Sequence, residues 1–118
     1  MIKPWFYNTG QEPSPNDSII EIEYIYRIDY DSLNESQMTI FETILNSLPG
    51  NCDPSFGFWY GNEKEADSDS GIYLCGSVEP VGYQVFGRLE RSVWENWHAA
   101  FVNAIEESGL PVRPTGFE

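Results

Sequence analysis

Few residues in this chain can carry acid–base, nucleophilic or metal chemistry. There is one histidine, His98, and there are two cysteines, Cys52 and Cys75. Any nucleophile–base pair built on an imidazole must use His98. Ser92 and Ser108 lie near it along the chain, but each has a local reason to stand at a helix end. His98 falls beside Trp97 and Phe101 on an apolar stripe. It therefore reads as a partly buried, hydrogen-bonded histidine at a helix–sheet boundary, and no catalytic residue is assigned. Cys52, Cys75 and His98 could offer three ligands to zinc, but their wide spacing fits neither a metal-ligand nor a redox pattern. In a reducing compartment both cysteines read as thiols, with Cys75 in an apolar run and Cys52 in a turn. Gly57 and Gly61 bracket aromatic residues and no helix follows them, so no phosphate-cradling motif is present. With 19 acidic residues some carboxylate pairing is inevitable, and it carries no signal of glycosidic chemistry.

The most distinctive stretch is the run from Gly61 to Gly71, with acids at Glu63, Glu65, Asp67 and Asp69. A calcium loop starting at Glu65 would place Asp67 and Asp69 correctly. It would then put Ser70 where glycine belongs and Gly76 where the bidentate glutamate belongs, so no metal is expected. The run reads instead as a solvated hairpin loop able to dock a basic partner. Trp59 and Tyr60 immediately precede it and are the candidate packing anchors, since exposed Trp and Tyr are favoured at interfaces. Trp5, Phe6, Tyr7 and Phe58 are further aromatics outside the helices. Glu21, Glu23 and Asp29 form a second acidic candidate on the solvent face of the first long strand.

These residues must be held by a small set of elements. Residues 9–18 are turn formers with two prolines. Residues 19–30 alternate with period two, placing Ile20, Ile22, Tyr24, Tyr26, Ile28 and Tyr30 on one face, which predicts a half-buried strand. The period then changes: Met38, Phe41, Ile44, Leu45 and Leu48 recur at helical spacing, and Pro49-Gly50 ends the run. A helix over about 34–48 follows, capped by Ser32 with Glu35 or by Asn34 or Ser36. Residues 51–54 form a turn, 56–60 a short aromatic strand, 61–71 a loop, and 72–78 and 83–89 a hairpin around Pro80. Gly76 and Gly87 mark close packing or a bulge. Trp94, Trp97, His98, Phe101, Ala104 and Ile105 share one face of a second helix over about 92–108, with Ser92 and Glu95 as its capping box and Gly109 as its stop. The order is β–α–β–β–β–α, with an extra N-terminal strand possible at the aromatic terminus. It predicts one α+β domain over 1–118, a two-layer sandwich with a mostly antiparallel sheet and two amphipathic helices on one face. The link from the first strand through the first helix is long enough for a right-handed parallel crossover.

Composition narrows the function classes. The chain has 118 residues, enough for one core, and its aromatic fraction of 15% excludes a disordered acidic tail. Six basic residues against 19 acidic ones give a net charge of −13. Direct nucleic-acid binding and attraction to an anionic membrane are excluded on electrostatic grounds, and a basic protein partner is the natural complement. The N-terminus lacks the pattern of a secretory signal and no stretch is long enough to span a bilayer, so the expectation is a cytoplasmic protein without cofactor.

In size, acidity, aromatic richness and lack of catalytic residues, the whole chain resembles the small acidic immunity proteins that bacteria pair with polymorphic or contact-dependent growth-inhibition toxins. The resemblance is at the level of the class and rests on no diagnostic motif. It implies a one-to-one complex with a cognate toxin domain, often a basic nuclease, blocked by carboxylates and aromatics. Two further classes stand beside this one. A nucleic-acid mimic would spread its acids along an extended face to block a DNA-binding enzyme. A small-ligand or enzymatic domain would place a pocket beside His98, Trp94 and Trp97.

Overall fold

Alternation along the first long strand is what builds the sheet. In the computed structural model, which describes residues 5–10, 14–50 and 57–113, strand β2 (Ile19–Tyr26) buries Ile20, Ile22 and Tyr26 against the helical layer. It is flanked by β1 (Phe6–Asn8) and β5 (Gly82–Glu90). Strands β4 (Tyr73–Glu79) and β3 (Phe58–Tyr60) complete a five-stranded sheet in the order β1-β2-β5-β4-β3. Every neighbouring pair is antiparallel. The chain thus leaves β2, crosses through the helical layer and returns at the opposite edge of the sheet, running against β4. A parallel crossover is not realised, because β3 pairs only at that far edge. The alternation ends earlier than the sequence suggests. After Tyr26 the chain forms an isolated bridge from Ile28 to Val112 and a single 3-10 turn at Tyr30–Ser32.

Helices α1 (Glu35–Ser47) and α3 (Arg91–Ser108) supply the second layer of the α+β sandwich. Asn34 caps α1: its side chain accepts from the Gln37 amide at 2.8 Å, and the Gln37 side chain accepts from the Asn34 amide at 2.9 Å. The capping box is therefore Asn34 with Gln37, and Ser32 instead donates to Asp29. Helix α3 starts directly where β5 stops, and no side chain caps it. Ser92 and Glu95 are not a capping box, because α3 already begins at Arg91, whose amide donates to Ser18 O, just before β2, at 2.7 Å. Gly109, at φ 75°, ends α3 in the left-handed conformation.

Aromatic rings fill the interface between the layers. Trp97 is fully buried, 5.1 Å from Trp59 and 5.4 Å from Phe101 between ring centres. Phe101 stands edge-on to Tyr26 at 4.7 Å, while Phe41 from α1 stands edge-on to Tyr83 at 5.8 Å. Phe41, Ile44 and Leu48 of the first helical stripe are buried, whereas Met38 is exposed. The β4–β5 hairpin turns over Pro80 and Val81. Gly76 and Gly87 are sites of close packing, as expected: a Cβ at Gly76 would strike the Tyr83 ring, and one at Gly87 the Tyr73 carbonyl. Cys52, the turn at 51–54 and Phe56 lie outside the described residues.

Candidate functional site

The acidic run has more structure than a loop. Asn62 caps a single helical turn, α2 (Glu63–Ala66), by accepting from the Glu65 amide at 3.0 Å. The Glu65 carboxylate accepts from the Ile72 amide at 3.3 Å, and the Ser68 amide donates to Glu65 O at 3.2 Å. Gly71 packs so closely on the Glu65 backbone that a Cβ there would overlap it. Glu63, Glu65, Asp67 and Asp69 are all exposed on this self-bonded segment. The segment is solvated as expected of a loop, but it contains a helical turn, held by an Asx cap and internal hydrogen bonds.

Arg88 joins that segment to the first acidic strand. It stands on β5 with its side chain on the sheet face opposite α1 and α3. It donates to Gly71 O at 2.9 Å and to Ser68 O at 3.5 Å, and its other terminal nitrogen lies 3.5 Å from the Glu21 carboxylate. Asp67 and Asp69 flank Ser68, so one guanidinium links Glu21 to the backbone of the acidic segment. Glu23 follows Glu21 on the same strand face and is exposed. Between them lies a broad depression of about 460 Å³ lined by Glu21, Glu23, Tyr73, Gln84, Phe86 and Arg88.

The same sheet face has its own apolar floor. Strand register places Tyr7, Ile25 and Gln84 in one cross-strand row, and Glu23, Phe86, Cys75 and Phe58 in the next. Ile25, which the alternation assigns to the solvent side, is only 4% exposed because these neighbours crowd it. Cys75 is half-buried on this face and outside the main core, and burial pushes its thiol up from its ordinary pKa. Tyr7 is 39% exposed, and the Tyr73 ring meets Phe86 edge-on at 6.4 Å.

Three expected site residues fall elsewhere. Trp59 is a core residue: it is 4% exposed, packs on Trp97 and Tyr83, and donates its indole N–H to Leu45 O at 3.1 Å. Tyr60 also packs against the core. Trp59 is not placed as a surface anchor, because burying a large ring between the layers is the stronger drive, whereas Tyr60 is half-buried at the margin of that core. Asp29 lies beyond the end of β2, apart from Glu21 and Glu23. Its carboxylate accepts from Ser32 Oγ at 2.8 Å and pairs with Arg113 at 2.9 Å. The hydrogen bond from Ser32, aided by Arg113, holds its pKa below the usual carboxylate value.

His98 is held as a boundary histidine. The Tyr26 hydroxyl lies 2.7 Å from Nδ1, and rings of Phe6, Tyr24 and Trp94 lie 5.0 to 5.2 Å away. Burial lowers the histidine pKa and raises that of Tyr26 well above its ordinary value. Both groups are therefore neutral near pH 7, and the tautomer of His98 sets which of the two donates in this bond. Among the described residues, no group of three or more His, Cys, Asp or Glu side chains is placed to hold a metal ion. No helix among them is long and apolar enough to cross a membrane.

No family model, no curated protein and no solved structure matches the chain. The residues of this candidate face that sequence reading missed are Arg88, Tyr73, Phe86 and Ile25. One signal was available: Gln84, Phe86 and Arg88 share the parity opposite to Tyr83, Val85 and Leu89 on β5.

Proposed function

We propose that this protein binds and neutralises a basic protein partner, in the manner of an immunity protein that blocks a cognate toxin domain. The carrying observation is that Arg88 links Glu21 to the backbone of the acidic segment, beside a sheet face that no long helix among the described residues covers. A net charge of −13 steers a cationic surface toward the molecule, and the concentrated acids set where it lands. Tyr7, Tyr73 and Phe86 take the anchoring role first assigned to Trp59 and Tyr60, as partly exposed aromatics beside a charged rim. The described residues supply no nucleophile–base pair, since His98 is engaged by Tyr26 within an aromatic stack.

The test begins with capture of a partner from host lysate on the immobilised protein at low salt, with elution at high salt. The eluted protein is then assayed for toxin activity with and without this chain. A single stoichiometric basic protein whose activity is suppressed is the expected result. A variant carrying Glu21→Gln, Glu23→Gln, Asp67→Asn and Asp69→Asn is expected to lose both capture and suppression. Full retention of both by that variant would place the interface elsewhere. Capture of a broad set of DNA-binding enzymes would instead favour the nucleic-acid mimic.

A further inference from the structure

We infer that Arg88 is a positioning residue for the acidic face: its guanidinium clamps the Glu63–Gly71 segment to β2, so that two acidic groups present one rigid surface to the partner. The inference rests on the basic-partner reading above and adds a residue of the opposite sign to it. A cation in the middle of an anionic docking face weakens attraction for a basic partner if charge is all that matters. Its hydrogen bonds say what it does instead. The donor to Gly71 O, at 2.9 Å, closes the end of the acidic segment, and the donor to Ser68 O reaches the residue between Asp67 and Asp69. The third interaction, to Glu21 at 3.5 Å, engages a side chain that is 81% exposed and so remains open to a partner. The planar fork of arginine can serve two carbonyls and a carboxylate at once, which the single ammonium of lysine cannot do in the same geometry. The bonds from the Glu65 amide to Asn62, the Ser68 amide to Glu65 and the Gly71 amide to Ser68 run within the segment, whereas those of Arg88 join it to β5 and, through Glu21, to β2.

Charge and positioning predict opposite signs, which makes the test decisive. Arg88→Gln leaves the chain one charge more negative, as does Arg113→Gln at the distant Asp29 cluster. The probe is lysozyme, a rigid basic protein whose fixed surface senses whether acids are held together. Association rates are measured by stopped flow from low to physiological salt, and amide exchange of residues 65–72 is followed in the free proteins. Arg113→Gln is expected to associate as fast as the natural chain or faster. Arg88→Gln is expected to associate about threefold or more slowly at low salt despite its extra negative charge, with faster exchange at Ser68, Gly71 and Ile72. Arg88→Lys, which keeps the charge, should fall between and covers the case in which the glutamine variant folds poorly. Unchanged exchange in Arg88→Gln together with a rate matching Arg113→Gln overturns the inference. If the natural chain shows no salt-dependent association with lysozyme, the electrostatic basis of the basic-partner reading falls. The exchange of Arg88→Gln still decides whether the clamp exists.

Discussion

His98 and Trp59 show how neighbours decide what a residue does. The His98 ring is hydrogen-bonded to a fully buried tyrosine and stacked on Trp94, and burial disfavours its charged form. Its folded-state pKa lies below the unfolded value of about 6.5, so the unfolded chain binds the extra proton first. Stability from this group is complete above pH 6.5 and declines as pH falls toward the folded pKa. Thermal melts between pH 7.5 and 5.5 should show a falling Tm in the natural chain, and a smaller fall in His98→Gln. Equal falls in both would assign the slope to other groups. For Trp59, truncation to alanine removes a buried ring and a hydrogen bond to Leu45 O. It should cost about 3–5 kcal/mol in urea unfolding, a core effect rather than a change confined to partner affinity. A loss below about 1 kcal/mol, on the order of a surface substitution, would contradict its place in the core.

Elements explain where local rules held and where they yielded. The α1 start is read by the reciprocal Asn34–Gln37 pair, and Asn34→Ala should lower stability by about 1 kcal/mol, with a lower urea midpoint and an unchanged slope. The start of α3 is set by the ladder between β2 and β5, so Ser92→Ala should change stability by less than about 0.5 kcal/mol. The two glycines flanking this region separate two costs. Gly109 has open space where a Cβ would go and a φ of 75°, so Gly109→Ala carries only the left-handed backbone cost of roughly 1–2 kcal/mol. Gly87 has the Tyr73 backbone carbonyl in the way, and Gly87→Ala must shift the β4–β5 pairing. It should therefore be the more destabilising of the two by chemical denaturation, and the reverse order would mean that the hairpin gives way at little cost.

At the scale of the whole molecule, the governing quantity is the charge of −13 on a chain of 118 residues. Self-repulsion disfavours the compact state and is screened by salt. Raising NaCl from about 10 to about 150 mM, which shortens the screening length from about 30 to about 8 Å, should raise the Tm of the free protein. The same change should slow its association with any basic partner. A Tm that falls with salt would indicate that the surface ion pairs of Arg88 and Arg113 outweigh the repulsion.

What the sequence determined by itself was the class of fold and the sign of the chain's own charge. Period two over 19–26 and period 3.6 over the two helical stripes specify which faces must be buried, and those faces allow little besides a two-layer α+β sandwich. Net charge likewise needs no coordinates. The tertiary structure alone decided that Arg88 links Glu21 to the backbone of the 63–71 segment, because that link depends on β2–β5 pairing and the reach of the guanidinium. It also decided that Trp59 is interior while Phe86 and Tyr73 line the open face. One residue of strand parity sends a ring to either side, and the register shift between Phe58 and Tyr60 is a product of packing that no local pattern announces.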